Sequence, residues 1–242
     1  MGNAASQRRW KRVVIKLSGE ALQGGSAHGL DAATLARLAA DLAAAAENGH
    51  EVAVVVGGGN FFRGIKGADT GIERARADSI GMLATVMNGL ALEQAIEGQG
   101  RPARCLSAVA MPAICESFSR RAALHHLDKG RVVIAAGGTG NPFFTTDTGA
   151  VLRAAELSAD AVLKATQVDG VYTADPKRDP SATRYETLTH DEAIAKNLAV
   201  MDTAAFALAR ENKIPIIVFS IAQPGAIAEV LNGAGRSTLV TP

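Results

Sequence analysis

The chemistry open to this chain is concentrated where short apolar runs break into glycine. Gly57, Gly58 and Gly59 follow the run Glu51 to Val56 and lead through Asn60 to Arg63. Gly137, Gly138 and Gly140 follow Val132 to Ala136 and lead through Thr139, Asn141, Pro142, Phe143, Phe144 and Thr145 to Thr146, Asp147 and Thr148. Glycines let backbone N–H groups come close to an anion with no side chain intervening, and a guanidinium offers a planar fork that matches phosphate. Lys16, followed by Leu17, Ser18, Gly19 and Glu20, adds an ammonium at the end of a third apolar run. A lysine in such a run is costly unless its charge reaches a partner or the edge. Together these groups suit phosphate. Neither loop completes the G-x-x-x-x-G-K-[ST] or G-x-G-x-x-G pattern, so the two commonest nucleotide motifs are absent.

The elements that must position these residues alternate between strand and helix. Val- and Ile-rich runs at Arg12 to Leu17, Glu51 to Val56, Cys105 to Val109, Val132 to Ala136, Ala161 to Thr166, Ile214 to Phe219 and Ser237 to Val240 predict strands, most of them too short and too apolar to be exposed helices. Asp31 caps an alanine-rich helix that stops at Gly49, Asp69 to Glu97 has helical spacing, Ser119 caps a helix through Leu127, and Asp147 to Leu157 follows the second glycine loop. Thr189 to Glu192 is a capping box, and Asp202 caps Thr203 to Asn212. Seven or eight strands alternating with helices give a largely parallel sheet covered on both faces. In such sheets ligands bind beyond the carboxyl ends of the strands, where both glycine loops fall. Apolar positions of the 69 to 97 helix occupy more than one face, which leaves two readings open: a central core helix, or burial against another subunit. His125 and His126 are expected at the surface.

Residue Lys164 sits in the strand Ala161 to Thr166, and a polar, proline-broken loop follows at Tyr172 to Asp179. An aromatic and a carboxylate so close together suit a nucleoside, Tyr172 beside the base and Asp175 near the ribose. The chain has 242 residues, 48% of them hydrophobic, and a formal charge of +1, so a sizeable core is available and non-specific nucleic-acid binding is not indicated. Cys105 and Cys115 lack metal or redox spacing. No stretch approaches the roughly 20 apolar residues that span a bilayer. Residues 1 to 10 are expected to form a mobile tail, residues 11 to 242 a single domain, and the setting to be cytoplasmic.

With Lys16-Leu17-Ser18-Gly19-Glu20, Gly57-Gly58-Gly59-Asn60 with Arg63-Gly64, GTGNPFFTTD at Gly138 to Asp147 and KATQVDGVYTADP at Lys164 to Pro176 in place, the chain resembles the bacterial UMP kinases of the amino acid kinase superfamily. The likeness runs from Arg12 to Leu239. It implies a three-layer αβα fold with a central, mainly parallel sheet of about eight strands, a homohexamer, and transfer of the ATP γ-phosphoryl group to UMP with Mg²⁺ bound with the nucleotide rather than by a protein metal site.

The same resemblance implies a UMP site of Gly58, Asp78, Thr139, Gly140, Asn141, Pro142, Phe143, Phe144, Thr145 and Thr146. It implies an ATP site, mainly from about residue 160 onward, that includes Lys16, Leu17, Ser18, Gly19, Gly59, Arg63, Thr166, Tyr172 and Asp175. Lys16, Arg63, Lys164 and Asp147 are the candidate catalytic groups, Asp147 orienting either a lysine or a metal-bound water. UTP inhibition at the UMP site is expected. Members activated by GTP use basic residues on the long helix where this chain has Glu93 and Glu97, a departure that weighs against GTP as an effector. The rival readings are a superfamily kinase acting on a carboxylate such as aspartate, glutamate or carbamate, and a nucleotide sensor without turnover.

Overall fold

The computed structural model describes residues 10–62, 71–176, 178–198 and 200–242. Arg63, Gly64 and the first nine residues of the expected tail lie outside these. Trp10, assigned to the tail from sequence, packs against the core, and its carbonyl oxygen lies 2.8 Å from His50 Nδ1.

Among the described residues nine strands form one sheet in the order β4-β3-β5-β2-β1-β6-β8-β9-β7: β1 (Arg12–Leu17), β2 (Glu51–Val56), β3 (Ala103–Ser107), β4 (Glu116–Ser117), β5 (Val132–Ala136), β6 (Ala161–Thr166), β7 (Thr187–Thr189), β8 (Ile216–Ser220) and β9 (Ser237–Thr241). Every pairing is parallel except β8 with β9, where the chain turns back and slots β9 between β8 and β7. The sequence reading missed β4 and β7 because two or three residues carry no periodicity of their own. Pro215 precedes β8, where its missing N–H costs the ladder nothing.

Alternation along the strands sends their side chains to two cores. Val13, Ile15, Leu17, Val52, Val54 and Ile134 meet helices α1 (Ala32–Glu47), α2 (Arg74–Gly98) and α7 (Ala226–Leu231). Val14, Val55, Val133, Ala135 and Val162 meet α3 (Arg120–Asp128), α4 (Thr146–Leu157), α5 (His190–Ala195) and α6 (Thr203–Glu211). Between those layers the central strands are covered on both faces, as their largely apolar content requires.

Helix α2 is apolar on two sides, and each side has a different fate. Val86, Leu92 and Ile96 are buried on the sheet, while Leu83 and Met87 stay 48% and 51% exposed. His126 corrects an expectation. Although His125 is exposed, His126 is buried, with Nε2 3.0 Å from Glu116 Oε2 and Nδ1 3.0 Å from Arg131. The short β4 places Glu116 over that ring, a contact invisible without the strand.

Candidate active site

In the register of β1 and β6, Lys16 lies opposite Lys164. Ile15, Leu17, Leu163 and Ala165 all turn into the first core, so both lysines project to the other face, where α4 begins. Asp147, in the first turn of α4, stands over the pair with Oδ1 2.9 Å from Lys16 Nζ and Oδ2 2.5 Å from Lys164 Nζ. The Lys164 contact is a hydrogen bond; the Lys16 contact is an ion pair without hydrogen-bond alignment. Burial alone would raise the Asp147 carboxyl, but the Lys16 and Lys164 charges outweigh it and hold it below the usual carboxylate range. Burial draws the Lys164 ammonium below its ordinary value, against the pull of Asp147 and with help from Lys16. Both ammoniums share the one carboxylate that touches them, with Asp202 acting on Lys164 from farther off, so two fixed cations stand where a polyanion could reach them.

What fixes Asp147 is a second carboxylate. Thr145 caps α4 by accepting from the Asp147 and Thr148 N–H groups, and its hydroxyl donates to Asp202. Asp202 also accepts from Thr148 Oγ1 at 2.9 Å while capping α6 through the Ala205 N–H at 2.8 Å. Sequence reasoning made Asp202 only a helix cap. It joins two helix starts, and the partner threonines lie more than fifty residues upstream, beyond any local pattern.

The two loops that follow β1 and β2 approach more closely than any side chain permits. A Cβ at Gly19 would stand 2.6 Å from Gly59 N and 2.6 Å from Asn60 Oδ1, and one at Gly58 would stand 2.8 Å from Ala84 Cβ and Gly81 O. Asn88, fully buried in α2, locks this arrangement: its amide donates to Gly57 O at 2.7 Å and exchanges hydrogen bonds with the Asn60 amide. Thr85, one turn earlier, accepts from Gly137 N at 2.7 Å and so ties the second glycine loop to the same helix. Asn88 and Thr85 were missed. Their signal in sequence is a polar side chain within the apolar rows of a long helix.

A hollow of about 130 Å³ opens between these parts, lined by Gly58, Asp78, Asn141, Phe144 and Thr146 with Phe62, Gly81, Met82 and Thr85. Thr139 instead bonds within its loop to Asn141, Phe143 is exposed, and Pro142 lines a separate dent with Glu73, Arg76 and Ser79. Gly140 packs on Ala108 with φ at 81°. Gly58 and Thr146 both line this hollow, and Asp147, next to Thr146 in the chain, reaches Lys16.

A larger hollow, about 430 Å³, lies beyond β6 and is lined by residues Val168 to Pro176 except Asp169, together with Lys196, Asn197, Leu198 and Val200. Tyr172 and Asp175 are among them, but the Tyr172 hydroxyl is already given to Asp169 at 2.6 Å, and that bond raises its pKa. Thr166 turns its hydroxyl onto Val168, Ser18 accepts from the Ala21 N–H, and the Leu17 side chain faces the core, leaving only its backbone, which accepts from Gly57 N. Lys196, Asn197 and Leu198 were not foreseen. Among the described residues no three His, Cys, Asp or Glu side chains converge as a cation site, and both Asp147 oxygens face ammoniums.

Residues 11–220 match the model of the amino acid kinase family. The chain belongs to that family. Amino acid kinase relatives named uridylate kinase include one from Azorhizobium caulinodans, 63% identical over 96% of this chain and 98% of its own, and one from Agrobacterium fabrum, 59% identical over 98% of both. The solved UMP kinase of Ureaplasma parvum superposes with a TM-score of 0.92 at 38% identity, covering 96% of this chain and 99% of that one. The UMP kinase of Bacillus anthracis gives 0.92 at 40% identity, over 96% of each chain. Both similarities span nearly the whole amino acid kinase fold described above.

Proposed function

We propose that the protein is a UMP kinase, transferring the γ-phosphoryl group of ATP reversibly to UMP to give ADP and UDP in pyrimidine nucleotide synthesis. What supports this reading is the Lys16–Asp147–Lys164 cluster near the strand ends, together with a small hollow containing Asp78 and a larger one containing Tyr172 and Asp175. UMP occupies the first hollow and ATP the second, so that the two phosphate chains meet over the lysines.

An oxygen of the UMP phosphate attacks the γ-phosphorus, the bond to the β,γ-bridging oxygen breaks, and ADP leaves. That attacking phosphate is already ionised near neutral pH, so the protein needs no general base. Its task is to align two polyanions and to neutralise charge spreading over the γ-oxygens. Lys16 and Lys164 supply fixed positive charge, Asp147 keeps both ammoniums in place, and the Gly58 and Gly59 amides and the α4 N-terminus favour phosphate oxygens, the Gly57 N–H being already given to Leu17 O. Arg63 adds a further cation in this reading. Mg²⁺ bound with the nucleotide would supply further positive charge to the phosphate oxygens.

Asp78 accepts from the ribose of UMP, which a carboxylate-phosphorylating member of the family would not need. UTP competes at the same hollow. Arg104 is held by Glu97 at 2.8 Å and lies 3.9 Å from Glu93, so its charge is balanced within the fold, which argues against a GTP site there. Exposed Leu83 and Met87 on α2 supply an apolar seam for a homohexamer. No helix among the described residues is long and apolar enough to cross a membrane. The free cysteines Cys105 and Cys115 suit a cytoplasmic enzyme, and a formal charge of +1 suits one that requires no nucleic acid. The test is a coupled assay of ADP formation with UMP, aspartate, glutamate or carbamate as acceptor, with and without GTP and UTP and without DNA. Turnover with UMP alone is expected; turnover with an acid in its place rejects the assignment.

A further inference from the structure

We propose that Arg74 is a positioning residue for the sugar of the acceptor nucleotide, acting by holding the Asp78 carboxylate and, through it, the Phe143 backbone. This rests on the UMP reading of the smaller hollow. Asp78 lies one turn after Arg74 on α2, and Arg74 Nε donates to both of its oxygens, at 3.0 Å to Oδ1 and 2.9 Å to Oδ2. The Phe143 N–H donates to Oδ2 at 2.8 Å, and the Arg74 guanidinium carbon lies 5.9 Å from the centre of the Phe143 ring. Arg74 therefore grips both ends of the Asp78–Phe143 contact.

The arrangement has a purpose beyond holding a helix turn. The Arg74 side chain is 53% exposed, so its ion pair adds little stability. What it supplies is direction. A carboxylate offers about four acceptor positions; Oδ2 takes two donors and Oδ1 shares one, which leaves open capacity chiefly at Oδ1, on a side chain that lines the hollow. Phe143 is a non-glycine residue at φ 71°, a conformation that persists only where surroundings enforce it. Its N–H bond and its ring contact with Arg74 both bear on that backbone. Without Arg74 the carboxylate is free to rotate and the loop to relax, and a hydroxyl on the sugar loses its aligned acceptor.

The test is steady-state kinetics of the full chain with UMP, dUMP and ATP, for wild type, Arg74→Ala, Arg74→Lys, Asp78→Asn and the Arg74→Ala/Asp78→Asn double variant. Arg74→Ala is expected to raise the UMP KM about tenfold with kcat within about twofold, the pattern of lost substrate binding. The ATP KM should be unchanged and the preference for UMP over dUMP should narrow. Arg74→Lys, which has no Nε in that place, should fall between and keeps the test open if the alanine variant folds poorly. In the Asp78→Asn background the added effect of Arg74→Ala should shrink to less than about twofold, since coupled residues are not additive. An unchanged UMP KM, equal losses for UMP and dUMP, or full additivity with Asp78→Asn overturns the proposal. A wild-type protein inactive on UMP would instead reject the functional reading beneath it.

Discussion

Removing the Asp147 carboxylate would leave the Lys16 and Lys164 ammoniums facing each other, nearly buried, with nothing negative between them. Breaking a buried ion pair by deleting one partner costs roughly 3 kcal/mol. Asp147→Ala is therefore expected to lower unfolding stability by about that amount in urea titration and to depress kcat with it; an unshifted midpoint would show that the lysines do not depend on it. The pKa of Lys164 lies below the ordinary 10.5 because of burial, opposed by Asp147, so its charge is lost as pH rises through that lowered value. If that charge serves phosphoryl transfer, kcat/KM falls on an alkaline limb placed below 10.5, and Lys164→Arg, which cannot deprotonate, removes the limb. For stability the same group acts in the opposite sense: the cost of burying its charge is present at neutral pH and is relieved as pH rises toward 10.5. A pH profile identical in wild type and Lys164→Arg rejects the role.

Between elements, the decisive contact is Asp202, which caps α6 and binds the two threonines that start α4. Asp202→Ala deletes a cap and orphans two hydroxyls, a loss of about 2 kcal/mol. The same variant should lose turnover because the α4 start carries Asp147, and a fall in stability with turnover intact would separate the cap from the site. Elements with strong local signals were legible in the sequence: β1, β2, β5 and β6 are short runs dominated by Val, Ile, Leu and Ala, and Asp31, Ser119 and Thr189 cap their helices where capping chemistry places them. The two glycine loops were legible as strand-end loops because each glycine cluster directly follows a short apolar run. Asn88, Thr85, Asp202 and the 196 to 198 segment were not, since each owes its place to partners brought near only by the sheet. The same holds for β4 and β7, which exist because a neighbouring strand offers them a ladder.

Across the whole molecule, α2 connects inside with outside: Asn88 and Thr85 hold both glycine loops, while Leu83 and Met87 project outward. If that outward seam joins subunits, replacing both residues by glutamate should break the assembly, read by light scattering as a fall in mass with the monomer still folded. A wild-type protein that is monomeric at micromolar concentration rejects the seam. Sheet order also bears on how the chain is made. β7 and β8 leave the ribosome before β9, the strand that must lie between them, so each waits with an open hydrogen-bonding edge while synthesis continues. Unpaired edges template aggregation. The half of the sheet beyond β6 is thus the last whose edges are covered, while β1, β2 and β5, complete earlier in the chain, can pair before it.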